Sequence, residues 1–248
     1  MLDWKNFTAD EQCLAGKVIA ITGAGSGIGR ALAKSFARYG ATIILIGRSV
    51  ERLESIYDTI ERDGNPRAAI IPIDFEQAID ADYINIHNSI EAEFGRLDGL
   101  IHNAAALGDR TSISHYPLAI WEKLMKVNVS APFALTKHCL PLLQKSDAGS
   151  ILFTSSSVGL KGRAYWGAYA ASKAAIENLM ETLADELEET SKIRVNSINP
   201  GATRTDMRAQ AFPAEDPTTV KTPVELTPLY LYFMCPQSAA ITGRQVSF

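Results

Sequence analysis

The stretch Val18-Ile19-Ala20-Ile21-Thr22-Gly23-Ala24-Gly25-Ser26-Gly27-Ile28-Gly29 decides the fold of this 248-residue chain. Val18–Thr22 is an unbroken apolar and β-branched run, the mark of a strand buried on both faces of a parallel sheet. Glycines follow at once, and residues 28–39 then carry helical spacing up to Gly40. Glycine permits a tight turn and close backbone approach, and a helix N-terminus offers free N–H groups and positive dipole. A strand, a glycine loop and a helix in that order make a cradle for a pyrophosphate, which singles out Gly23, Gly25, Ser26, Gly27 and Ile28. The spacing Gly23, Gly27, Gly29 departs from GxGxxG, and a ligand-free glycine turn is the alternative.

The same alternation continues outward. Strands are expected at 42–46, 68–73, 100–102, Ser150–Thr154 and 193–198. Helices are expected at 51–62, up to residue 94, at 120–144 and at 169–189. Strands alternating with helices imply right-handed βαβ units. The expected class is therefore α/β, a single-domain doubly wound parallel sheet of Rossmann type with helices on both faces, spanning 1–248. The one long irregular stretch, 200–223, suits a substrate lid around 206–223; a surface loop is the other reading.

Composition narrows the function. A formal charge of −4 gives no basic footprint, so nucleic acid is not an expected partner. No run of about 18 apolar residues argues for a membrane span. Met1-Leu2-Asp3-Trp4-Lys5-Asn6 lacks an apolar run behind a basic region, and the three cysteines (Cys13, Cys139, Cys235) are far apart along the chain. Together these point to a cytoplasmic, reducing location. The four histidines, His87, His102, His115 and His138, have no ligand spacing and read as structural, so no metal is expected.

The dinucleotide is read at the end of the second strand. An NAD site needs a carboxylate there for the ribose hydroxyls. Between Arg30 and Val50 there is no Asp or Glu, and the strand runs into Gly47-Arg48-Ser49. A guanidinium binds phosphate through a bidentate fork, so Arg48 favours NADP, with NAD as the alternative. Arg48 as a solvated loop residue is the competing view. Asp74 suits an adenine amino group, or equally a cap for the next helix.

Tyr169 and Lys173 are four apart on a helix and share a face. An ammonium beside a phenol lowers its pKa from about 10, which suits a proton-transferring group. Ser156 lies thirteen residues upstream of Tyr169 and could hydrogen-bond the oxygen that receives the proton. In isolation the pair is also consistent with a core ring beside a snorkelling lysine.

Taken together, these motifs resemble the short-chain dehydrogenase/reductase family in its single-domain form, over residues 14–248. Thr22-Gly-x-x-x-Gly-Ile-Gly29 looks like its cofactor motif. His102-Asn103-Ala104-Ala105 is similar to its Asn-Asn-Ala-Gly stretch, and departs at both ends while keeping Asn103. Asn128 in Val127-Asn128-Val129 matches the catalytic asparagine, and Ser156 the catalytic serine by spacing. Pro200-Gly201-Ala202-Thr203 resembles the segment that grips the nicotinamide. Blocks 102–108, 153–173 and 200–207 look most like the bacterial YciK-like oxidoreductases. The resemblance implies hydride transfer between NADP(H) and a small-molecule carbonyl or alcohol substrate. Tyr169 would be the acid/base, Lys173 would also bind the nicotinamide ribose, Ser156 would polarise the substrate oxygen, and Asn128 would position a water. It also implies a homodimer or homotetramer built through helices 120–144 and 169–189. A non-catalytic dinucleotide-binding regulatory protein is the rival, and a methyltransferase-like fold a weaker one.

Overall fold

The computed structural model describes residues 4–248, so the first three residues of the stretch read for a leader lie outside it. Seven strands form one sheet in the order β3-β2-β1-β4-β5-β6-β7, every neighbouring pair parallel. They are β1 (Val18–Thr22), β2 (Thr42–Gly47), β3 (Ala69–Pro72), β4 (Gly99–His102), β5 (Ser150–Thr154), β6 (Arg194–Asn199) and β7 (Arg244–Ser247). The apolar runs are explained by two cores, one on each face. Ile19 and Ile21 enter one, while Val18 and Ala20 enter the other; Ile43 and Leu45 oppose Ile44 and Ile46 in the same way.

Helix α1 (Gly27–Arg38) buries Leu32, Ala33, Phe36 and Ala37, and α2 (Val50–Arg62) buries Leu53, Ile56 and Ile60, both at helical spacing on the first core. Helix α3 (Asp80–Phe94) covers the second. No helix among the described residues is long and apolar enough to cross a membrane.

The single helix expected at 120–144 is in fact α4 (Leu118–Met125), a π turn (Lys126–Ser130) and α5 (Ala131–Leu143). Pro132, in the first turn of α5, has no N–H to donate to the Asn128 carbonyl four residues back. The side chain of Asn128 supplies a second cause. Its Oδ1 accepts from the Ala106 N–H at 2.7 Å, and its Nδ2 donates to the Ala106 carbonyl at 2.9 Å and the Ser172 hydroxyl at 3.0 Å.

Three further segments differ from expectation. A short helix, α6 (Ser157–Leu160), precedes α7 (Gly167–Glu188). The stretch 200–223 is not structureless: it contains α8 (Asp206–Ala211), a bridge from Thr203 to Lys221, and a two-point ion pair from Arg208 to Glu215. Beyond it, α9 (Thr227–Met234) packs into the first core. Two of the cysteines are distant only in sequence, since the free thiols of Cys13 and Cys235 approach to 2.8 Å, while Cys139 lies in the second core.

Asp98 ties β1 to β4 at the edge away from the glycine loop. Its carboxylate accepts from the Val18 N–H at 2.9 Å, the Ser146 hydroxyl at 2.7 Å and Arg96 Nε at 3.1 Å. Burial alone would raise this carboxyl, but Ser146, the Val18 N–H, Lys17 and Arg96 outweigh it and hold it below its ordinary value. Asp98→Ala orphans a buried N–H and a buried hydroxyl and should cost about 3 kcal/mol in urea unfolding. Because the folded-state pKa is depressed, this stabilisation is present at neutral pH and is lost as pH falls through the carboxylate range. A loss under about 0.5 kcal/mol would contradict the role.

Candidate active site

The strand order reverses between β1 and β4, and a cleft of about 870 Å³ opens there at the carboxyl ends of the strands. One end is lined by Gly23, Gly25, Ser26, Gly27 and Ile28, with Arg48, Asp74 and Asn103. The other carries Ser156, Tyr169, Lys173 and Thr203. Asn128 stands outside this lining, as do Thr22 and Gly29 of the glycine motif.

The glycines are needed for specific reasons. Gly23 has a φ of +66°, and a Cβ there would meet the Ala104 backbone at 3.0 Å. A Cβ on Gly29 would fall 2.3 Å from the Gly23 carbonyl oxygen and 2.8 Å from Asn103 Nδ2. Thr22 and Asn103 fix this contact across the sheet. The Thr22 hydroxyl accepts from the N–H groups of Asn103 (2.9 Å) and Ala104 (3.0 Å), and Asn103 Nδ2 donates to the Thr22 carbonyl at 3.2 Å.

Helix α1 begins at the cleft with no acidic residue in its first turn, and the side chain of its N-cap, Ser26, makes no capping bond. Arg48 and Arg52 stand beside it; Arg52 lies 3.9 Å from Asp206. Ser49, next to Arg48, caps α2 by accepting from the Arg52 N–H at 3.4 Å. Asp74 caps a turn through Glu76 rather than a helix, its Oδ1 accepting from the Glu76 N–H at 3.0 Å, since α3 starts only at Asp80. Further along, the Ser155 hydroxyl is buried with no partner although the residue lines the cleft. A donor-rich helix end, two arginines and an orphaned hydroxyl fit a phosphorylated dinucleotide.

At the far end of the cleft from the glycine loop, Tyr169 and Lys173 share one face of α7. Lys173 Nζ is 5.7 Å from the Tyr169 ring centroid and donates to the Thr154 carbonyl at 2.7 Å. Burial lowers Lys173 to about 8, partly offset by Glu177. Tyr169 corrects the expectation that Lys173 lowers its pKa: burial pushes the phenol up to about 12, with the neighbouring Ser156 hydroxyl pulling the other way. The sequence argument weighed the ammonium but not the burial of the ring. Thr203 is buried beneath the Pro200 and Gly201 carbonyls, to which its hydroxyl donates at 3.4 and 3.3 Å. His102 is a core residue stacked on Phe153 at 4.7 Å, lowered to about 3 by burial and so neutral.

Sequence reasoning missed Ser155 as a cleft residue and missed Trp166, whose ring lies 5.8 Å from that of Tyr169. Neither sits in a spacing that carries a signal, and only the turn between β5 and α7 brings them in.

A family model for short chain dehydrogenases matches residues 17–216. The chain is 46% identical over 238 residues to the oxidoreductase YciK of Escherichia coli (strain K12), covering 96% of this chain and 94% of that relative. A short chain dehydrogenase from Pseudomonas syringae superposes with a TM-score of 0.96 at 48% identity, covering 97% of this chain and 98% of the other. One from Shigella flexneri 2a str. 301, complexed with NADP, superposes with a TM-score of 0.94 at 46% identity, covering 96% of this chain and 99% of the other. The fold, the glycine loop and the match along nearly the whole chain agree: this protein belongs to the short-chain dehydrogenase family and resembles its YciK-like oxidoreductases.

Proposed function

We infer that this chain reduces a carbonyl compound at the expense of NADPH, with Tyr169 donating the proton. The observation that carries this reading is one cleft holding the phosphate cradle at one end and Ser156, Tyr169 and Lys173 at the other. Gly23, Gly25, Ser26, Gly27 and Ile28 hold the pyrophosphate, Arg48 takes the 2′-phosphate, Asp74 faces the adenine, and Asn103 supports the loop. When bound, the nicotinamide supplies the hydride. Ser156 donates a hydrogen bond to the carbonyl oxygen and polarises it, and Tyr169 gives that oxygen its proton. Lys173 holds the ribose and places a positive charge behind the phenol, while Thr203 anchors the segment over the nicotinamide. The side-chain bonds of Asn128 are committed to Ala106 and Ser172, so a relay water would bind its backbone carbonyl, to which Pro132 offers no i+4 N–H.

NADP is favoured over NAD by Arg48 and by the absence of acid between Arg30 and Val50; the Shigella relative bound to NADP supports it. Arg48→Ala should weaken NADPH binding at least about tenfold and leave NADH within about twofold, measured by titration. Equal loss for both would remove the 2′-phosphate assignment. Residues 206–223 act as the lid, and the protein works as a cytoplasmic homodimer or homotetramer through α4, α5 and α7, which sedimentation equilibrium of the purified protein tests.

The high pKa of Tyr169 favours reduction, because the donor is protonated throughout the neutral range. Alcohol oxidation needs the phenolate, so its kcat/KM should rise about tenfold per pH unit from about 6 to 7.5, below the range in which Lys173 loses its charge. Reduction should stay nearly flat over the same span. An oxidation plateau already reached at pH 7 would contradict a phenol held this high. Turnover itself is tested by NADPH consumption across aldehydes, ketones and quinones.

A further inference from the structure

Two arginines at the outer side of the cleft, Arg110 and Arg163, have no carboxylate partner among the described residues. The Arg110 guanidinium stands 4.7 Å from the ring centroids of both Trp166 and Phe212, and those rings lie 5.9 Å apart. It donates one N–H to the Ala211 carbonyl at the end of α8. Among the described residues its remaining N–H groups have no hydrogen-bond partner, and the Arg163 side chain has none. Arg163 and Trp166 line the cleft with Tyr169, and Arg110 lines an adjoining cavity of about 430 Å³ that shares Leu107, Gly108, Asp109, Gln210 and Ala211 with it.

The acids of this region are largely committed to other partners. Glu76 is held by Lys123 at 2.6 Å, Glu215 by Arg208, and Asp206 lies nearest Arg52. Asp109 is exposed and forms no ion pair with either arginine. Asp109 lines both spaces, so the wall sets two guanidinium groups and aromatic rings against one unpaired carboxylate, a net positive balance. A guanidinium stacked on ring faces is already oriented, so it loses little freedom on closing its fork around an oxyanion.

The loop bearing Arg163 is built at a cost. Tyr165 adopts a φ of +69°, the only non-glycine residue among those described to do so, and the Trp166 N–H closes the turn on the Arg163 carbonyl at 3.2 Å. A left-handed residue with a side chain costs about 1–2 kcal/mol. Strain of this kind persists where it positions something. Here it sets Arg163 on the rim and turns Trp166 toward Tyr169.

We propose that the substrate is a carbonyl compound bearing an oxyanion, a carboxylate or a phosphate, which Arg110 and Arg163 hold while the carbonyl meets Ser156 and Tyr169. This rests on the cleft being a carbonyl-reductase site. The test compares matched pairs differing only in charge: 4-carboxybenzaldehyde against its methyl ester, a semialdehyde acid against its methyl ester, and 4-formylphenyl phosphate against its dimethyl ester. The charged member should lead in kcat/KM by at least about tenfold, and the pair that leads most distinguishes carboxylate from phosphate. Arg163→Gln should cut that ratio at least about fivefold, Arg163→Lys should restore part of it, and rising salt should shrink it. Arg110→Gln should act likewise; because Arg110 also holds α8, Arg163 is the cleaner probe. Ratios near one in every pair that turns over would overturn the proposal and leave the reductase reading standing. If no aldehyde in either form consumes NADPH, the reductase reading fails. Quenching of Trp166 fluorescence by 4-(hydroxymethyl)benzoate against its methyl ester, with NADP present, then decides the charge preference on its own. Tighter binding of the acid, lost in Arg163→Gln, upholds the anion site, and equal binding overturns it.

Discussion

Tyr169→Phe should lower kcat for carbonyl reduction by about a thousandfold while NADPH binding stays within about threefold. The substitution removes one oxygen from a buried ring on α7 and leaves the ring's contact with Trp166 in place. A positioned proton donor contributes roughly 10²–10⁴ in rate, and this cleft offers no second acid in the same place. Lys173 is the nearest competitor, but its ammonium is turned to the Thr154 carbonyl. Stopped-flow turnover together with a fluorescence titration of NADPH separates the two effects. Unchanged kcat would remove Tyr169 from the chemistry; a parallel collapse of binding would mark it as structural.

Gly29→Ala should weaken NADPH binding by at least about a hundredfold. A methyl group 2.3 Å from the Gly23 carbonyl oxygen and 2.8 Å from Asn103 Nδ2 meets backbone on one side and a hydrogen-bonded amide on the other. Neither can yield without moving the loop, and Gly23 already sits at a positive φ. The loop must then withdraw from Asn103, and the N–H groups at the start of α1 lose their aim. Circular dichroism should report a folded protein, since α1 buries its apolar face well beyond this point. NADPH affinity within threefold of the parent would show that the glycine is not needed for close approach.

The parts of the site that were legible in the sequence are those fixed by short spacing. Gly23 to Ile28 follow from one strand-to-helix junction, and Tyr169 with Lys173 from a single helical turn. The apolar runs of β1 and β2 gave the parallel sheet because alternate side chains feed opposite cores, so every position is apolar. Features set by distant contacts did not show. The break in the helix at 126–130 has a local cause in Pro132, but it also rests on Asn128 reaching Ala106 and Ser172, 22 and 44 residues away. The meeting of Cys13 and Cys235 spans 222 residues. The pKa of Tyr169 depends on how deeply the fold buries the ring, which helical spacing cannot state. Nothing in its sequence neighbourhood marks Arg110; only the fold brings Trp166 and Phe212 to its guanidinium.

NADPH carrying deuterium on the transferable position of its nicotinamide tests the central claim most directly. Incubated with this protein and a carbonyl from the panel, it should yield an alcohol with deuterium on the former carbonyl carbon, and Tyr169→Phe should slow that product's appearance. NADPH that binds the protein but stays unoxidised with every carbonyl offered would instead identify a dinucleotide-binding protein without turnover, and would contradict the reductase reading.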